Sequence, residues 1–111
     1  MSLSVVNAQR QDNDVAAHTL YTVPASAKLI GGNVHAVNVS GSAAGINIYV
    51  DPTAGGGTTD ANSVYHEDWG IPPGGQVDIK GIALDTENAI IAYKQGTANA
   101  FTVTFSGLEI T

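Results

Sequence analysis

Few side chains in this sequence could do chemistry, and they do not gather. The three histidines, His18, His35 and His66, lie on separate segments, and no pair has the local spacing of metal ligands. His66-Glu67-Asp68 comes nearest to an acid–base group. On an extended strand alternate residues share a face, so His66 and Asp68 point together and Glu67 points away. No serine in a nucleophile-elbow setting accompanies them. Asp51, Asp60, Glu67 and Asp68 border one glycine-rich loop, residues 51–62. Carboxylates around such a loop could hold calcium, but the EF-hand spacing is missing and a solvated loop is the favoured reading. Gly55-Gly-Gly-Thr-Thr-Asp60 lacks the Lys-Ser/Thr of a phosphate loop. Cysteine is absent, which removes thiol chemistry, disulfides and Cys-based zinc sites. The expectation is a protein with no catalytic residues, no metal and no cofactor.

The elements that would position these residues are strands. His18 to Val23 is rich in β-branched and aromatic residues. Lys28 to Ser40 continues in the same character, with Gly31-Gly32 suggesting a bulge or a close backbone approach. Ile46, Ile48 and Val50 alternate with Asn47, Tyr49 and Asp51, the cleanest period of two in the chain. Segments 33–40 and 46–51, joined by a short glycine-bounded turn, read as a β-hairpin. Ser63 to Trp69 is extended again, and an Ile-Pro-Pro-Gly-Gly corner follows at residues 71–75. Pro72 and Pro73 withhold backbone donors, which places the corner at a sheet edge or rim. Val77 and Ile79 point inward, and after Gly81 the apolar parity flips to Ile82 and Leu84, as a bulge requires. Ala89 to Tyr93 is a nearly continuous apolar run, expected for a strand covered on both sides or lying at an interface. Phe101, Val103 and Phe105 share one face, and Gly107 is read as shifting the phase to Leu108 and Ile110.

No stretch has helical periodicity. About eight short strands at turn-to-turn spacings of roughly 8–12 residues predict a single all-β domain, a β-sandwich or jelly roll, over residues 18–111. Residues 1–17 contain the polar run Asn7 to Asp14, which cannot bury enough apolar surface to order itself. They are expected to form an extended N-terminal arm, either a frayed chain end or a segment that orders only against a partner, with Leu3, Val5 and Val6 as its anchor. Tyr49, on the polar parity of its strand, is the expected outward aromatic and interface residue. Phe101, Phe105 and Trp69 are expected in the core.

Composition limits the partners. A net charge of −6 with only Arg10, Lys28, Lys80 and Lys94 as basic residues excludes a phosphate-neutralising nucleic-acid surface. No apolar run approaches the roughly 18 residues that span a bilayer, and residues 1–10 have neither a basic n-region nor an apolar h-region. A chain made as a soluble protein, without membrane partners, is expected. Charged residues are 13% of the chain, against a usual value of about 25%. A surface poor in charge and rich in small polar residues desolvates readily and suits packing against neighbours.

Three segments carry a resemblance: Leu20-Tyr-Thr-Val-Pro-Ala-Ser-Ala-Lys-Leu29, Ile71-Pro-Pro-Gly-Gly-Gln-Val-Asp-Ile-Lys-Gly-Ile-Ala-Leu84 and Phe101-Thr-Val-Thr-Phe-Ser-Gly-Leu-Glu-Ile110. Over residues 18–111 the chain resembles a loose group of small β-sandwich virion proteins of tailed bacteriophages; the arm lies outside the match. The resemblance implies a structural protein made in the host cytoplasm and located in the virion, with no catalytic residues to carry over. Its first implication is a capsid decoration, or cement, protein on the outside of the head, a homotrimer whose partner is the major capsid protein. An accessory piece of the neck, tail or baseplate is the alternative. Fold analogy also leaves open a carbohydrate- or receptor-binding module, with Tyr49, Tyr65 or Trp69 stacking on sugars. The expected partner contacts are Leu3, Val5, Val6, Tyr49, Pro72 and Pro73.

Overall fold

The structure is a computed structural model that describes residues 2–54, 58, 62–66 and 70–111, with His66 described in its backbone only. Among these residues the strands are β1 (Leu3–Arg10), β2 (His18–Thr22), β3 (Lys28–Asn38), β4 (Ile46–Asp51), β5 (Ser63–His66), β6 (Gln76–Leu84), β7 (Ile90–Gln95) and β8 (Phe101–Ile110). They form two four-stranded sheets, sheet A in the order β1-β8-β3-β6 and sheet B in the order β2-β7-β4-β5. Every pairing is antiparallel, and β1 pairs with β8, β2 with β7, β3 with β6 and β4 with β5. This is a long hairpin rolled over itself, the jelly-roll form of the β-sandwich. The all-β expectation holds.

The core lies between the sheets. Phe101, Val103 and Phe105 on β8 and Val34 and Ala36 on β3 meet Ile46 and Ile48 on β4 and Ile91 and Tyr93 on β7. Tyr21 clamps the two layers together. Its ring stacks on Phe105 at 5.0 Å, and its hydroxyl donates to Glu109 Oε2 at 2.7 Å. β7 is buried along Ile90 to Tyr93, as its unbroken apolar run requires.

Two bulges face each other in sheet A. From the Val34–Ile79 pair to the Gly32–Ile82 pair, β6 spends one more residue than β3; from there to Leu29–Leu84, β3 spends one more. Gly81 (φ +74°) and Gly31 (φ +59°) supply the left-handed backbone at these points. The extra residues cancel, so both strands reverse parity together and keep their apolar sets inward. Both bulges are legible in the sequence.

Three expectations change. First, residues 3–10 of the supposed arm form β1, an edge strand in unbroken register with β8 from Leu3–Ile110 to Arg10–Val103. A segment this polar cannot order alone, but the backbone of β8 supplies the partner. Second, segments 33–40 and 46–51 are not a hairpin, because β3 and β4 belong to different sheets. Asn38 turns the chain between them: its Nδ2 donates to Ser42 O (2.9 Å) and Ile71 O (2.7 Å), and its Oδ1 accepts from the Ser40 amide (2.9 Å). Third, Gly107 shifts no phase, for the β1–β8 register runs straight through it. It is a glycine because an added Cβ would stand 2.7 Å from Leu29 Cδ1. Leu108 and Ile110 consequently lie on the outer face of sheet A.

The Pro-Pro-Gly-Gly corner ends in a turn with the Gly75 amide bonded to Pro72 O at 2.8 Å and Gly74 at φ +78°. Its residues Gly74 and Gly75 bond to the backbone of Asn38, so the corner leads into β6 at the rim of sheet A. Trp69, Glu67, Asp68 and Asp60 lie outside the described residues.

Candidate interaction surface

The expected contact residues do not converge. Leu3 and Val5 stand side by side on the outer face of β1 and are 60% and 72% exposed. Val6, of opposite parity, turns inward and packs against the core. Pro72 and Pro73 are exposed but lie at the far end of sheet A. Leu3 pairs with Ile110 and the corner bonds Asn38, which pairs with Phe101; strand geometry makes that separation roughly 30 Å. Tyr49 does point away from the intersheet core, but it is only 4% exposed and clusters with Ile90 and Ala92. Parity located its face correctly, and burial removes it as an accessible aromatic.

What gathers around Leu3 and Val5 was not legible from local pattern. Val5 pairs with Leu108, and Leu108 pairs with Ile30 on β3. Leu108 and Ile30 are about as exposed as each other, at 39% and 40%. Together with Leu3 and Ile110 they make an apolar row across three strands at one end of the outer face of sheet A. Beside it, Lys28, Ile30, Ala83 and Asp85 line a shallow open depression. The clue in the sequence was Gly107: read as a residue without room, it leaves Leu108 pointing outward. The other end of this face is polar, with the His35 Nδ1–Asp78 Oδ1 pair at 2.7 Å.

The titratable side chains cluster elsewhere, where the chain crosses from β1 to β2. Asp12 receives Arg10 Nη2 at 2.8 Å and Arg10 Nε at 3.0 Å, a bidentate pair, and also the Tyr93 hydroxyl. The Arg10 hydrogen bonds hold the Asp12 carboxyl below its ordinary range; burial opposes this and the Tyr93 bond adds to it. Burial, reinforced by the Asp12 acceptor, raises the Tyr93 phenol above its usual value. Burial and then Glu109 do the same to Tyr21. Arg10 Nη2 donates to His18 Nδ1 at 3.2 Å, which leaves His18 Nε2 as the donor to Asp14 Oδ1 at 2.6 Å. Gln95 is buried below: Nε2 donates to Asp12 O (2.7 Å) and Asp14 O (2.9 Å), and Oε1 accepts from the Phe101 amide (3.1 Å).

Each of these groups is engaged by another, and the cluster works as a pin. It fastens the β1–β2 crossing to β7 and β8 and presents no nucleophile with an adjacent base. Among the described residues no three His, Asp or Glu side chains are placed to hold a metal ion. Asp51 Oδ1 accepts from the Thr53 amide (2.9 Å) and hydroxyl (2.7 Å), so this carboxylate shapes the start of its loop.

No protein-family model matches the sequence, and no curated protein matches it. Among solved structures, the acid-stable capsid of the Helicobacter pylori bacteriophage KHP30 contains a chain similar to this one. The TM-score is 0.61 at 11% identity, over 100% of this chain and 89% of that one. A chain of the cyanophage Pam1 capsid asymmetric unit aligns with a TM-score of 0.47 at 13% identity, over 97% and 82%. At 11% identity the first likeness shows the fold, and the second is too loose to add to it. The fold shared with the KHP30 capsid chain is in keeping with the virion β-sandwich resemblance drawn from residues 18–111.

Proposed function

We propose that this chain is a structural protein of a phage virion, and within that class a decoration protein that binds the head shell and stabilises it without catalysis. The observation that carries the reading is the bare apolar row Leu3, Val5, Leu108 and Ile30 on a jelly roll of the kind found in a phage capsid. Soluble monomers rarely leave contiguous apolar surface on a sheet face unless something covers it. The proposed cover is the major capsid protein, with the chain on the outer surface of the shell as a homotrimer, after synthesis in the host cytoplasm. Binding only the assembled shell would stabilise it by mass action, about 2.7 kcal/mol at a free concentration of 100 Kd.

The carbohydrate-binding alternative loses support, because Tyr49 is buried and Tyr65 is partly packed into the core. The neck, tail or baseplate alternative is separated by copy number. In purified particles a decoration protein is present at a copy number comparable to that of the major capsid protein. Val5→Asp combined with Leu108→Asp should remove it from shells while leaving the free protein folded. A copy number of a single ring would overturn decoration in favour of the neck or tail. Undiminished shell binding by the double variant would remove the apolar row from the account.

A further inference from the structure

A jelly roll has four edge strands, and three of these are guarded. β2 has five residues and a register break between Thr19 and Tyr21. β5 has four residues among those described and a break in its pairing with β4. β6 carries Asp78, Lys80 and the Gly81 bulge. Short length, charge and bulges are the usual means of keeping an edge from pairing with another chain. β1 has none of them. It is eight residues long, its register is unbroken, and residues 3–9 contain no charge and no proline.

The free edge can be specified by atom. Ser2 and Thr111 exchange both backbone hydrogen bonds, at 2.9 and 3.0 Å. Antiparallel pairing alternates bonded and non-bonded residues, so Ser4, Val6 and Ala8 also bond toward β8. The amides and carbonyls of Leu3, Val5, Asn7 and Gln9 therefore face away from the sheet. Among the described residues nothing bonds to them.

We infer that β1 is a pairing edge for β1 of a second copy of this chain, antiparallel about a two-fold axis. Only one register uses every outward group: Leu3 opposite Gln9 and Val5 opposite Asn7, with Val6 facing Val6 on the axis. The same register sets Ser4 opposite Ala8, so no charged residue faces another across the seam. Two chains of net charge −6 meet there without direct repulsion. Sheet A becomes a continuous eight-stranded sheet. An edge contact of this kind buries less than the roughly 800 Å² per partner of a standard interface. The pair is accordingly weak in dilute solution and favoured where copies are held close together. This inference rests on the fold alone and stands apart from the virion reading.

The absence of native cysteine makes single-cysteine trapping clean. Across the axis, non-bonded residues have Cα atoms about 4.5 Å apart, within disulfide range. Under mild oxidation Val6→Cys should give a covalent dimer roughly tenfold or more faster than Gln9→Cys, whose symmetry mate lies about 20 Å away. Equal rates, or no dimer from Val6→Cys, would overturn the proposal. Val5→Pro provides the second measurement. It deletes an outward amide that β8 does not use, so the melting temperature should hold while concentration-dependent, even-numbered association in sedimentation disappears. An even-numbered association that Val5→Pro leaves unchanged, or a wild type that shows no two-fold association and no trapping, counts against it, whereas a trimer that persists in Val5→Pro while its pairing with a second trimer is lost bears the seam out.

Discussion

At the end of the sandwich where β1 crosses to β2, Asn38, Asp12 and Gln95 are polar and largely buried. At the opposite end of sheet A, Leu3, Val5, Ile30 and Leu108 are apolar and exposed. The two ends invert the usual distribution, for different reasons. The polar end is where connections between the sheets leave strand geometry, and their backbone groups need partners that no ladder supplies. Asn38 and Gln95 serve as substitutes for a neighbouring strand. At the apolar end the ladder carries the paired bulges, and the β2–β3 and β6–β7 crossings beside it bond backbone to backbone, Val23 N to Ala89 O and Asn88 N to Val23 O. Its outward side chains are unconstrained by the fold, so their apolar character points to something outside the chain.

Removing a substitute strand should have the largest effect. Gln95→Leu keeps the volume but strips the hydrogen-bond partner from Phe101 N, Asp14 O and Asp12 O. Buried groups left unpaired in this way cost about 2–4 kcal/mol in total. Thermal and denaturant unfolding would show it as a lowered midpoint. A loss below about 0.5 kcal/mol, the range of ordinary surface changes, would mean the polar end is decorative and the comparison fails.

The apolar end depends on backbone geometry instead. Gly81 sits at φ +74°, and no atom lies within 4 Å of the point where a Cβ would stand, so a side chain there meets open space and only the backbone objects. Gly81→Val should cost about 2 kcal/mol, because a β-branched residue resists the left-handed region. Gly81→Asn should recover most of it, since asparagine tolerates that region. If the two variants melt together, the cost is not conformational and the paired bulges do not hold the parity reversal.

These two ends differ in how far the sequence revealed them. Parity in β4, β6 and the first part of β8 was plain, and glycine inside an alternating strand marked both bulges, because period two and glycine conformation are local properties. β1 was hidden because its inward residues, Ser4, Val6, Ala8 and Arg10, are too small or polar to contrast with Leu3 and Val5. Its order comes from β8, a partner about a hundred positions away. The polar pin was hidden for the same reason: Asp12 and Tyr93 are 81 residues apart. Gly107 misled because a glycine imposed by Leu29 looks, in sequence, like one that bends a strand. Tyr49 shows the remaining gap, since parity assigns a face but not whether that face is covered.

The smallest effect concerns charge at the polar end. The Asp12 carboxyl is held below its ordinary value in the folded chain, first by Arg10 and further by Tyr93. A depressed folded value means the unfolded chain takes up the proton first as pH falls. The stabilisation is therefore complete above about pH 4, the ordinary carboxylate range, and is lost as pH drops through the folded value. Asp12→Asn should remove this dependence, so wild type and variant differ most at neutral pH and converge toward about pH 2–3 in urea-unfolding midpoints. Val5→Thr at the apolar end should leave the same acid profile as wild type, because it leaves the Arg10–Asp12–Tyr93 contacts in place. Parallel profiles for wild type and Asp12→Asn would show that Arg10 and Tyr93 fasten the crossing through geometry alone, with the charge of Asp12 contributing nothing that acid can remove.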